Sequence, residues 1–301
     1  MKNLPLKAVL MAIFCNILFG SASPFIKLGY EYLNITDDVY SKLLYAGVRF
    51  FVSGIAVFIV DAIMTKKIPK PQKGNGFNVV LLGITYTFLQ YIFFYVGLSY
   101  TTGASATVIN SSSVFMAIVL AHFIYKNDKL TLPRVVGCVL GFAGVVIACF
   151  AGGGMGRISF MGEGFILLTA LFFVLGSVIN KKASKLDSSF TLTAYNLLIG
   201  GFLLIVAGLV GYRGGIEVTT KGILVLAYLI FVSSAGFTMW SILLKNYPIG
   251  KISVYNFVIP VSGTILSGIF LKENIFTWQY VVALALVSVG IYIVNKKRNL
   301  K

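Results

Sequence analysis

The nine acidic residues are the side chains best able to carry acid–base or metal chemistry, and their positions argue against both. Each lies in a predicted loop or within about one helical turn of the end of an apolar stretch, away from the middle of a membrane. They are Glu31, Asp37, Asp38, Asp61, Asp128, Glu163, Asp187, Glu217 and Glu273. Hydrolases and metal enzymes need clustered Asp, Glu, His or Cys side chains, and this sequence offers no such cluster. We therefore expect no enzymatic activity, no metal site and no cofactor.

Uncharged polar side chains are placed differently, because several stand in the middle of long apolar stretches. Asn110 and Asn256 are 146 positions apart and occupy equivalent places in an internal repeat. Each amide needs several hydrogen-bond partners. Two interpretations stay open: a shared polar binding site near the membrane midplane, or a structural hydrogen bond between helices. Ser113 and Tyr255 lie close to these amides in sequence and are candidates for the same site, although serines also favour close helix packing.

Aromatic residues form a second group of candidates. Tyr86 and Gln90 are four residues apart, so they share one face of a helix. Phe93 or Phe94 continues that face, and Trp240 stands in an apolar stretch of the second half. Together with the amides, these side chains predict a pocket for a neutral, zwitterionic or aromatic molecule. An amine held by cation–π contact is the alternative.

Two cations also fall inside apolar stretches. Arg49 lies about nine residues into its stretch, and no acidic residue stands within one or two helical turns of it. Its guanidinium must therefore reach backbone carbonyls, water or lipid phosphate. Lys27 is nearer to the end of its stretch and can extend its amine to the interface. For both residues a functional and a structural role stay open.

Pro24 and Pro260 are the predicted gating or hinge residues, because proline removes a backbone donor from a helix. Val114 stands where Pro260 stands in the repeat. The fourth apolar stretch therefore has no proline to weaken its hydrogen-bond ladder, and we expect no equivalent break there.

Composition indicates that all these residues belong to an all-α membrane protein. Hydrophobic residues make up 58% of the 301 residues, charged residues 11%, and the mean hydropathy is +0.91. A soluble chain carries about 25% charged residues. Apolar runs long enough to cross the hydrocarbon core recur almost without pause. The predicted spans are 7–27, 40–62, 78–98, 103–125, 134–151, 163–181, 189–211, 222–243, 252–271 and 278–295.

The chain repeats when it is laid over itself with a shift of 146 residues. Positions that match without a gap include Lys126 with Lys272, Thr131 with Thr277 and Gly144 with Gly290. The first repeat covers residues 1–151 and the second 163–301, each with five predicted spans. A unit with an odd number of crossings must enter the bilayer in opposite senses in the two halves. We therefore predict ten transmembrane helices arranged as two inverted five-helix repeats.

The basic residues give the predicted orientation. With ten spans both termini lie on one side, and the loops of that side collect most of the 25 Lys and Arg residues. They are Lys2, Lys7, Lys66, Lys67, Lys70, Lys73, Lys126, Lys129, Arg134, Lys181, Lys182, Lys185, Lys245, Lys251, Lys296, Lys297, Arg298 and Lys301. Because positive loops face the cytoplasm, we predict a multi-pass protein of the plasma (inner) membrane with both termini cytoplasmic. The net charge of +16 then attracts anionic membrane lipid, whereas nucleic acid would need a basic soluble face.

The fifth span carries a close-packing face of Gly137, Gly141 and Gly144. This face suits a contact within the monomer or the seam of a homodimer, and both alternatives stay open.

Short motifs along the spans carry a resemblance to a known family. They are Phe19-Gly20 followed by Lys27, Ala46-Gly47-Val48-Arg49-Phe50, Gly97-Leu98-Ser99-Tyr100-Thr101, and Pro260 followed by Leu271-Lys272-Glu273 with Thr277. In this order and spacing the chain resembles the EamA-type members of the drug/metabolite transporter superfamily over nearly its whole length. It departs from the family pattern at Val114, where a proline is usual, and at Asn127, where an acid is usual.

The resemblance implies a transporter of small organic solutes, with a central cavity lined mainly by spans 1, 3, 4, 6, 8 and 9. The polar and aromatic candidates lie on those spans. We therefore predict export or exchange of amino acids or related metabolites by alternating access, with Asn110 and Asn256 at the solute's polar head. Tyr86, Gln90 and Trp240 would shape the walls. A multidrug or amine efflux carrier, a channel-like conduit and a non-transporting membrane scaffold are the alternatives.

Overall fold

Ten helical segments make up nearly all of the part of the chain that the computed structural model describes, residues 4–35, 38–124, 131–152, 159–247 and 252–295. They are α1 (Leu6–Tyr32), α2 (Val39–Thr65), α3 (Gly76–Ser99), α4 (Gly103–Asn110 and Ser112–Ile124), α5 (Leu132–Gly152), α6 (Phe160–Ala183), α7 (Ser189–Leu209), α8 (Thr220–Asn246), α9 (Ser253–Phe257 and Val258–Leu271) and α10 (Trp278–Asn295). Each coincides with one predicted span. Those ranges contain no β-strand, so the all-α class is confirmed.

Seven of these helices in the described ranges are long and apolar enough to cross a membrane: α1, α2, α3, α4, α6, α7 and α8. The apolar parts of the other three are shorter, Leu132–Ala148, Tyr255–Leu271 and Trp278–Ile293. At a rise of about 1.5 Å per residue, 17 residues reach about 26 Å, slightly less than the hydrocarbon thickness of about 30 Å. The chain is therefore a multi-pass membrane protein, and the full set of ten crossings stays a prediction.

Polar side chains begin several of the helices. The hydroxyl of Thr102 accepts a hydrogen bond from the backbone N–H of Ser105 at the start of α4, at 3.0 Å. Ser188 does the same for Thr191 in α7, also at 3.0 Å. A capping oxygen satisfies one of the backbone donors that the first turn of a helix leaves without a partner.

Helices α2 and α7 pack backbone against backbone through glycines. A Cβ atom added at Gly47 would lie 2.5 Å from the backbone nitrogen of Ile205. One added at Gly201 would lie 2.4 Å from the nitrogen of Phe51. In a membrane, where lipid is as apolar as a side chain, close approach of this kind supplies much of the attraction between helices.

Helices α5 and α10 form an equivalent pair. A Cβ atom at Gly290 would lie 2.6 Å from the carbonyl oxygen of Gly137, and one at Gly144 would lie 2.8 Å from that of Ala283. Gly141 is also covered by the ring of Phe115. The glycine face of α5 is therefore occupied within the chain, while the oligomeric state stays undecided.

The helix contacts follow the internal repeat. Helix α1 packs on α8 and α9, and α6, five helices later, packs on α3 and α4. Helix α2 packs on α7 and α8, and α7 packs on α2 and α3. Replacing each of these helices by the one five places along the chain therefore returns the same main contacts, as expected for two structurally similar halves related by a two-fold axis.

Two buried hydrogen bonds between the halves join equivalent positions of the repeat. Arg49 on α2 donates from Nε to the hydroxyl of Ser233 on α8 at 2.8 Å. Thr87 on α3 donates to the Oδ1 atom of Asn196 on α7 at 2.9 Å. Ser233 is 146 positions after Thr87, and Asn196 is 147 after Arg49. The same pair of repeat positions is thus joined twice across the two halves, with different chemistry each time.

Helix α4 is interrupted although it lacks a proline. Its α-helical hydrogen bonding ends at Asn110 and resumes at Ser112. Around Ser111 the bonds tighten to three-residue spacing, from the N–H of Ser111 to the carbonyl of Val108 at 3.2 Å and from Val114 to Ser111 at 3.1 Å. The expectation of no break in the fourth span is therefore wrong: a single residue in 3₁₀-like geometry is enough to interrupt the α-helix.

The break in α9 falls at the matching place. A 3₁₀ segment, Ser253–Phe257, passes into an α-helix at Val258, and Phe257 is 146 positions after Ser111. Pro260 is the third residue of that α-helix, so it removes one backbone donor just beyond the change from 3₁₀ to α-helical geometry. Helix α1, in contrast, stays helical through Pro24. Hinge motion at either proline stays a prediction.

We expect Gly201→Ala to lower stability, because the new methyl group would meet the backbone of α2 rather than a movable side chain. The loss should be about 1–3 kcal/mol, the usual range for overpacking, seen as a lower melting temperature in detergent. Gly76→Ala is the matched control, since a Cβ there meets nothing within 4 Å. Equal melting temperatures for the two variants would contradict the backbone contact between α2 and α7.

Candidate functional site

A central cavity lies where helices of both halves meet. Its lining combines one cation, two amides, a hydroxyl and several aromatic rings, and consists of Phe19, Ala22, Arg49, Gln90, Tyr91, Phe94, Asn110, Ser113, Phe173, Val232, Phe237 and Ile259. These residues come from α1, α3, α4, α6, α8 and α9, the six helices expected from the sequence, and from α2, which contributes only Arg49.

The cavity is small. Its volume is about 50 Å³, whereas pockets for small organic ligands usually measure roughly 300–1,000 Å³. It has room for a few water molecules but not for a metabolite. A solute could enter this space only after the surrounding helices move apart.

Arg49 is the only charged residue among the described residues that line the cavity. It is 1% exposed. Besides the bond to Ser233, its Nε donates to the carbonyl of Leu229 at 3.2 Å, and its Nη1 donates to the hydroxyl of Tyr95 at 3.0 Å. The guanidinium carbon lies 4.8 Å from the centre of the Phe50 ring. All of these partners are neutral, so the positive charge is solvated by dipoles and an aromatic face alone.

Aromatic rings form a continuous wall beside this cation. The ring of Phe50, against which the guanidinium packs, lies 4.2 Å from that of Tyr91. Tyr91 in turn lies 6.2 Å from Phe237, and Phe237 lies 5.6 Å from Phe19. Three of these four rings, those of Tyr91, Phe237 and Phe19, line the cavity. The cavity is therefore lined by apolar ring faces and by the polar groups of the amides, the hydroxyls and the guanidinium.

Two carbonyl oxygens of side-chain amides at the cavity lack a hydrogen-bond partner. They are Oε1 of Gln90 on α3 and Oδ1 of Asn110 on α4, and both atoms are buried. A buried acceptor without a donor costs roughly 1–3 kcal/mol. Such a cost is retained in proteins mainly where a bound molecule or an ordered water supplies the donor.

Helix α3 is irregular directly before Gln90. Its segment Gly83–Leu89 is a π-helix, and regular α-helix resumes at Gln90. Segments of this kind are rare and occur frequently at functional sites. The backbone carbonyl of Gln90 accepts from the hydroxyl of Thr169 at 3.3 Å, which ties this point of α3 to α6.

The structure places the sequence-predicted residues at different depths around the cavity. Gln90, Asn110 and Ser113 line it. Tyr86 and Trp240 do not; they pack behind the lining ring of Phe173, at centroid distances of 5.4 Å and 6.0 Å. They support the wall rather than facing the space in this conformation.

Asn256 and Tyr255 lie on the short 3₁₀ segment of α9, outside the cavity lining. Asn256 is 4% exposed, and its Oδ1 atom, like that of Asn110, is buried without a partner. The two equivalent amides therefore share an unsatisfied carbonyl, although only one reaches the cavity. A joint role in binding stays a prediction.

The carboxylate of Glu273 connects the two halves at the end of the bundle where α4 begins. The two carboxylate oxygens of Glu273, just beyond α9, accept from the backbone N–H groups of Gly103 and Ala104 at 2.9 and 3.0 Å. The amine of Lys27 on α1 lies 3.9 Å from the same carboxylate. A helix N-terminus favours an anion, so this contact fastens α1, α4 and α9 together at one end.

The sequence singled out Arg49 without assigning it to the site. It gave Phe19 only as part of a family motif, and it predicted neither Tyr91 nor Phe237 as a binding residue. A signal for Arg49 was available, because an ionisable group far inside a span is a functional hypothesis by default. The three rings carried no such signal among the 41 Phe and Tyr residues of the chain.

Comparison with known proteins places this fold and site in context. The EamA-like transporter family matches the chain twice, at residues 6–150 and 160–296. An uncharacterized transporter of Bacillus subtilis, YvbV, is 29% identical over 302 residues, which cover 99% of this chain and 94% of that protein. A protein of Escherichia coli named "Probable amino-acid metabolite efflux pump" is 25% identical over 265 residues, 83% of this chain and 84% of that protein.

One solved crystal structure shares the fold. It superposes with a TM-score of 0.72 over 96% of this chain and 98% of the other, at 18% sequence identity. At this identity the likeness concerns the fold alone.

We expect Gln90→Met to leave the solute-free protein as stable as the wild type, or to raise its melting temperature, because the change removes an unsatisfied buried oxygen at nearly constant volume. Asn75→Leu is the contrasting variant, since its buried amide donates to Ala183 at 3.0 Å and to Asp187 at 2.6 Å. Thermal unfolding in detergent should show Asn75→Leu destabilised by about 1–3 kcal/mol. A similar loss in Gln90→Met would mean that the Gln90 amide is satisfied after all.

Proposed function

The chain belongs to the EamA-like transporter family, and we propose that it carries small amino-acid-like or aromatic metabolites across the plasma membrane by alternating access. The observation that supports this most directly is the central cavity, where helices of both halves meet around an arginine, two amides and a wall of aromatic rings. A site shared between two halves becomes open to either side when one half rocks against the other.

We further propose that the chain crosses the membrane ten times, as inverted repeats over residues 1–151 and 163–301, with both termini in the cytoplasm. The equivalent helix contacts of the two halves support this arrangement. So do the breaks of α4 and α9 at the same position of the repeat. In transporters built this way, interrupted helices provide backbone groups at the binding site, where a cavity rather than lipid surrounds them.

Export or exchange is the proposed mode of transport. Among the described residues that line the cavity there is no carboxylate, and carboxylates are the usual proton carriers inside membrane transporters. We therefore favour movement down the solute's own gradient, or exchange for another solute. The name of the Escherichia coli relative supports amino-acid metabolites as the class exported.

The contact of Glu273 with the start of α4 supplies a closure on the outer side. In the proposed orientation Gly103, Lys27 and Glu273 all face away from the cytoplasm. Release of the two backbone hydrogen bonds to Glu273 would let α4 separate from α9 at that end. A channel-like conduit would need a continuous polar path instead, and the polar lining here is confined to a space of about 50 Å³.

We expect the double variant Asn110→Ala, Asn256→Ala to slow counterflow of labelled amino acids in proteoliposomes at least tenfold, about the effect of losing one or two hydrogen bonds to a solute. The exposed amide of Asn246 donates to the carbonyl of Ile242 in its own helix, at 2.8 Å. Asn246→Ala is therefore the control and should transport at the wild-type rate. Wild-type rates from the double variant would exclude these amides from the site.

Inverted repeats make a separate prediction about sidedness. Lys73 and Arg213 are exposed residues of the loops that follow α2 and α7, which are equivalent helices. In a variant without native cysteines, Arg213→Cys should react with a membrane-impermeant maleimide in intact cells, and Lys73→Cys only after permeabilisation. Labelling of both positions in intact cells, or of neither, would contradict the inverted topology.

A further inference from the structure

We propose that Arg49 binds the carboxylate of the transported solute, so that the site accepts zwitterions and carboxylates and rejects simple amines. This inference rests on the proposed transport function and adds to it the chemical class of the solute. It depends on three features of the cavity: an uncompensated buried cation, two carbonyl oxygens without donors, and a matching position in the other half that has neither charge nor access to the cavity.

The first feature is a buried guanidinium whose partners among the described residues are all neutral. A buried cation is stable only when it is paired or fully hydrogen-bonded. Arg49 donates to one backbone carbonyl and two hydroxyl groups. Among the described residues, no carboxylate lies within 4.0 Å of its guanidinium. An arginine has five N–H donors in a planar fork that matches a carboxylate. A carboxylate of the solute could approach this fork from the cavity side.

The second feature is the pair of carbonyl oxygens that Gln90 and Asn110 hold at the same cavity without donors. An ammonium group has three donors and no acceptor, so it suits these two oxygens as a carboxylate suits the guanidinium. An α-amino acid carries both groups on one carbon atom. The rings of Tyr91, Phe94 and Phe237 then provide an apolar surface for its side chain.

The third feature is the difference between the two halves. Asn196 stands where the repeat places the counterpart of Arg49, and it accepts a hydrogen bond from Thr87 at 2.9 Å. Asn196 is buried, neutral and absent from the cavity lining. A structural role in joining the halves therefore does not need a charge. The positive charge of Arg49 is therefore not needed to join the halves, and its side chain lines the cavity that a solute would enter.

The positive charge of Arg49 also disfavours the binding of a cationic amine. A cationic amine in the cavity would lie near a fixed positive charge, in a space that holds too few water molecules to screen the repulsion as bulk water does. The aromatic rings alone offer a cation about 0.5–2 kcal/mol, which is less than a like-charge contact costs at close range in a low-dielectric space.

The test uses two sets of matched probes on the purified full-length protein. The first set is phenylalanine, 3-phenylpropionate and phenethylamine, and the second is leucine, 4-methylpentanoate and isoamylamine. Binding is measured by thermal shift in detergent and by inhibition of counterflow in proteoliposomes. We expect the amino acid and the carboxylate of at least one set to bind wild-type protein, and neither amine to do so.

Variants then assign the effect to the guanidinium. Arg49→Gln should weaken carboxylate binding by roughly 10- to 100-fold, the range for a charge-assisted hydrogen bond, and should remove the discrimination against amines. Arg49→Lys keeps the charge without the fork and should retain the discrimination at reduced affinity. Asn196→Ala removes the equivalent contact of the other half and should leave the discrimination unchanged, whatever it does to stability.

The outcomes separate this inference from the transport function. Binding or transport of an amine by the wild type as strong as that of its matched carboxylate would overturn the inference and leave transport intact. So would undiminished carboxylate binding in a folded Arg49→Gln protein. Absence of binding and counterflow for all six probes in wild-type protein would count against both proposals.

Discussion

A backbone inside a bilayer has no water to hydrogen-bond with, and this constraint governs where the helices of this protein can be irregular. Irregular backbone is tolerated at membrane depth only where protein or a cavity surrounds it. The break at Ser111 directly follows Asn110, and the π segment of α3 ends directly before Gln90. Both of those amides line the central cavity. These two irregular turns therefore lie directly beside residues that line the cavity.

Helices α2, α5, α7 and α10, which have no such interruption, form closely packed pairs. Helices α2 with α7 and α5 with α10 pack so closely that a single methyl group would meet backbone atoms of the partner. Such contacts leave little freedom for sliding, because packed interfaces rearrange between discrete states rather than deform continuously. The other six helices supply most of the cavity lining, and hydroxyl groups join several of them. Helices α1 and α9 among them also approach closely, since a Cβ atom at Gly20 would lie 2.7 Å from the carbonyl oxygen of Ile259.

Much of this could be predicted from hydropathy and the repeat, which located all ten helical segments to within a few residues. The interruption of α4 could not, because Ser111 achieves without proline what Pro260 was expected to do alone. Which of the candidate side chains reach the cavity could not be predicted from the sequence either. Tyr86 and Gln90 share a helix face on ideal geometry, but the π segment between Gly83 and Leu89 changes the rotation per residue, and only Gln90 reaches the cavity.

Arg49 shows why it is difficult to assign a functional or a structural role to a single residue from one sequence. A cation within a span has a structural explanation whenever neutral dipoles can reach it, and Ser233, Tyr95 and the Leu229 carbonyl do reach it. Which of its N–H groups face the cavity depends on how α2, α3 and α8 meet. That arrangement is a property of three helices far apart in sequence, and no local pattern encodes it.

A fixed positive charge at the centre of the bundle also bears on how membrane voltage acts on the protein. The guanidinium stays with the protein throughout a transport cycle, so the charge that crosses the bilayer is that of the solute. Moving one elementary charge through 100 mV involves about 2.3 kcal/mol. A zwitterion matched to Arg49 would cross without sensing the voltage, and its concentration ratio alone would set the direction. A simple carboxylate would instead be driven out of a cell whose interior is negative.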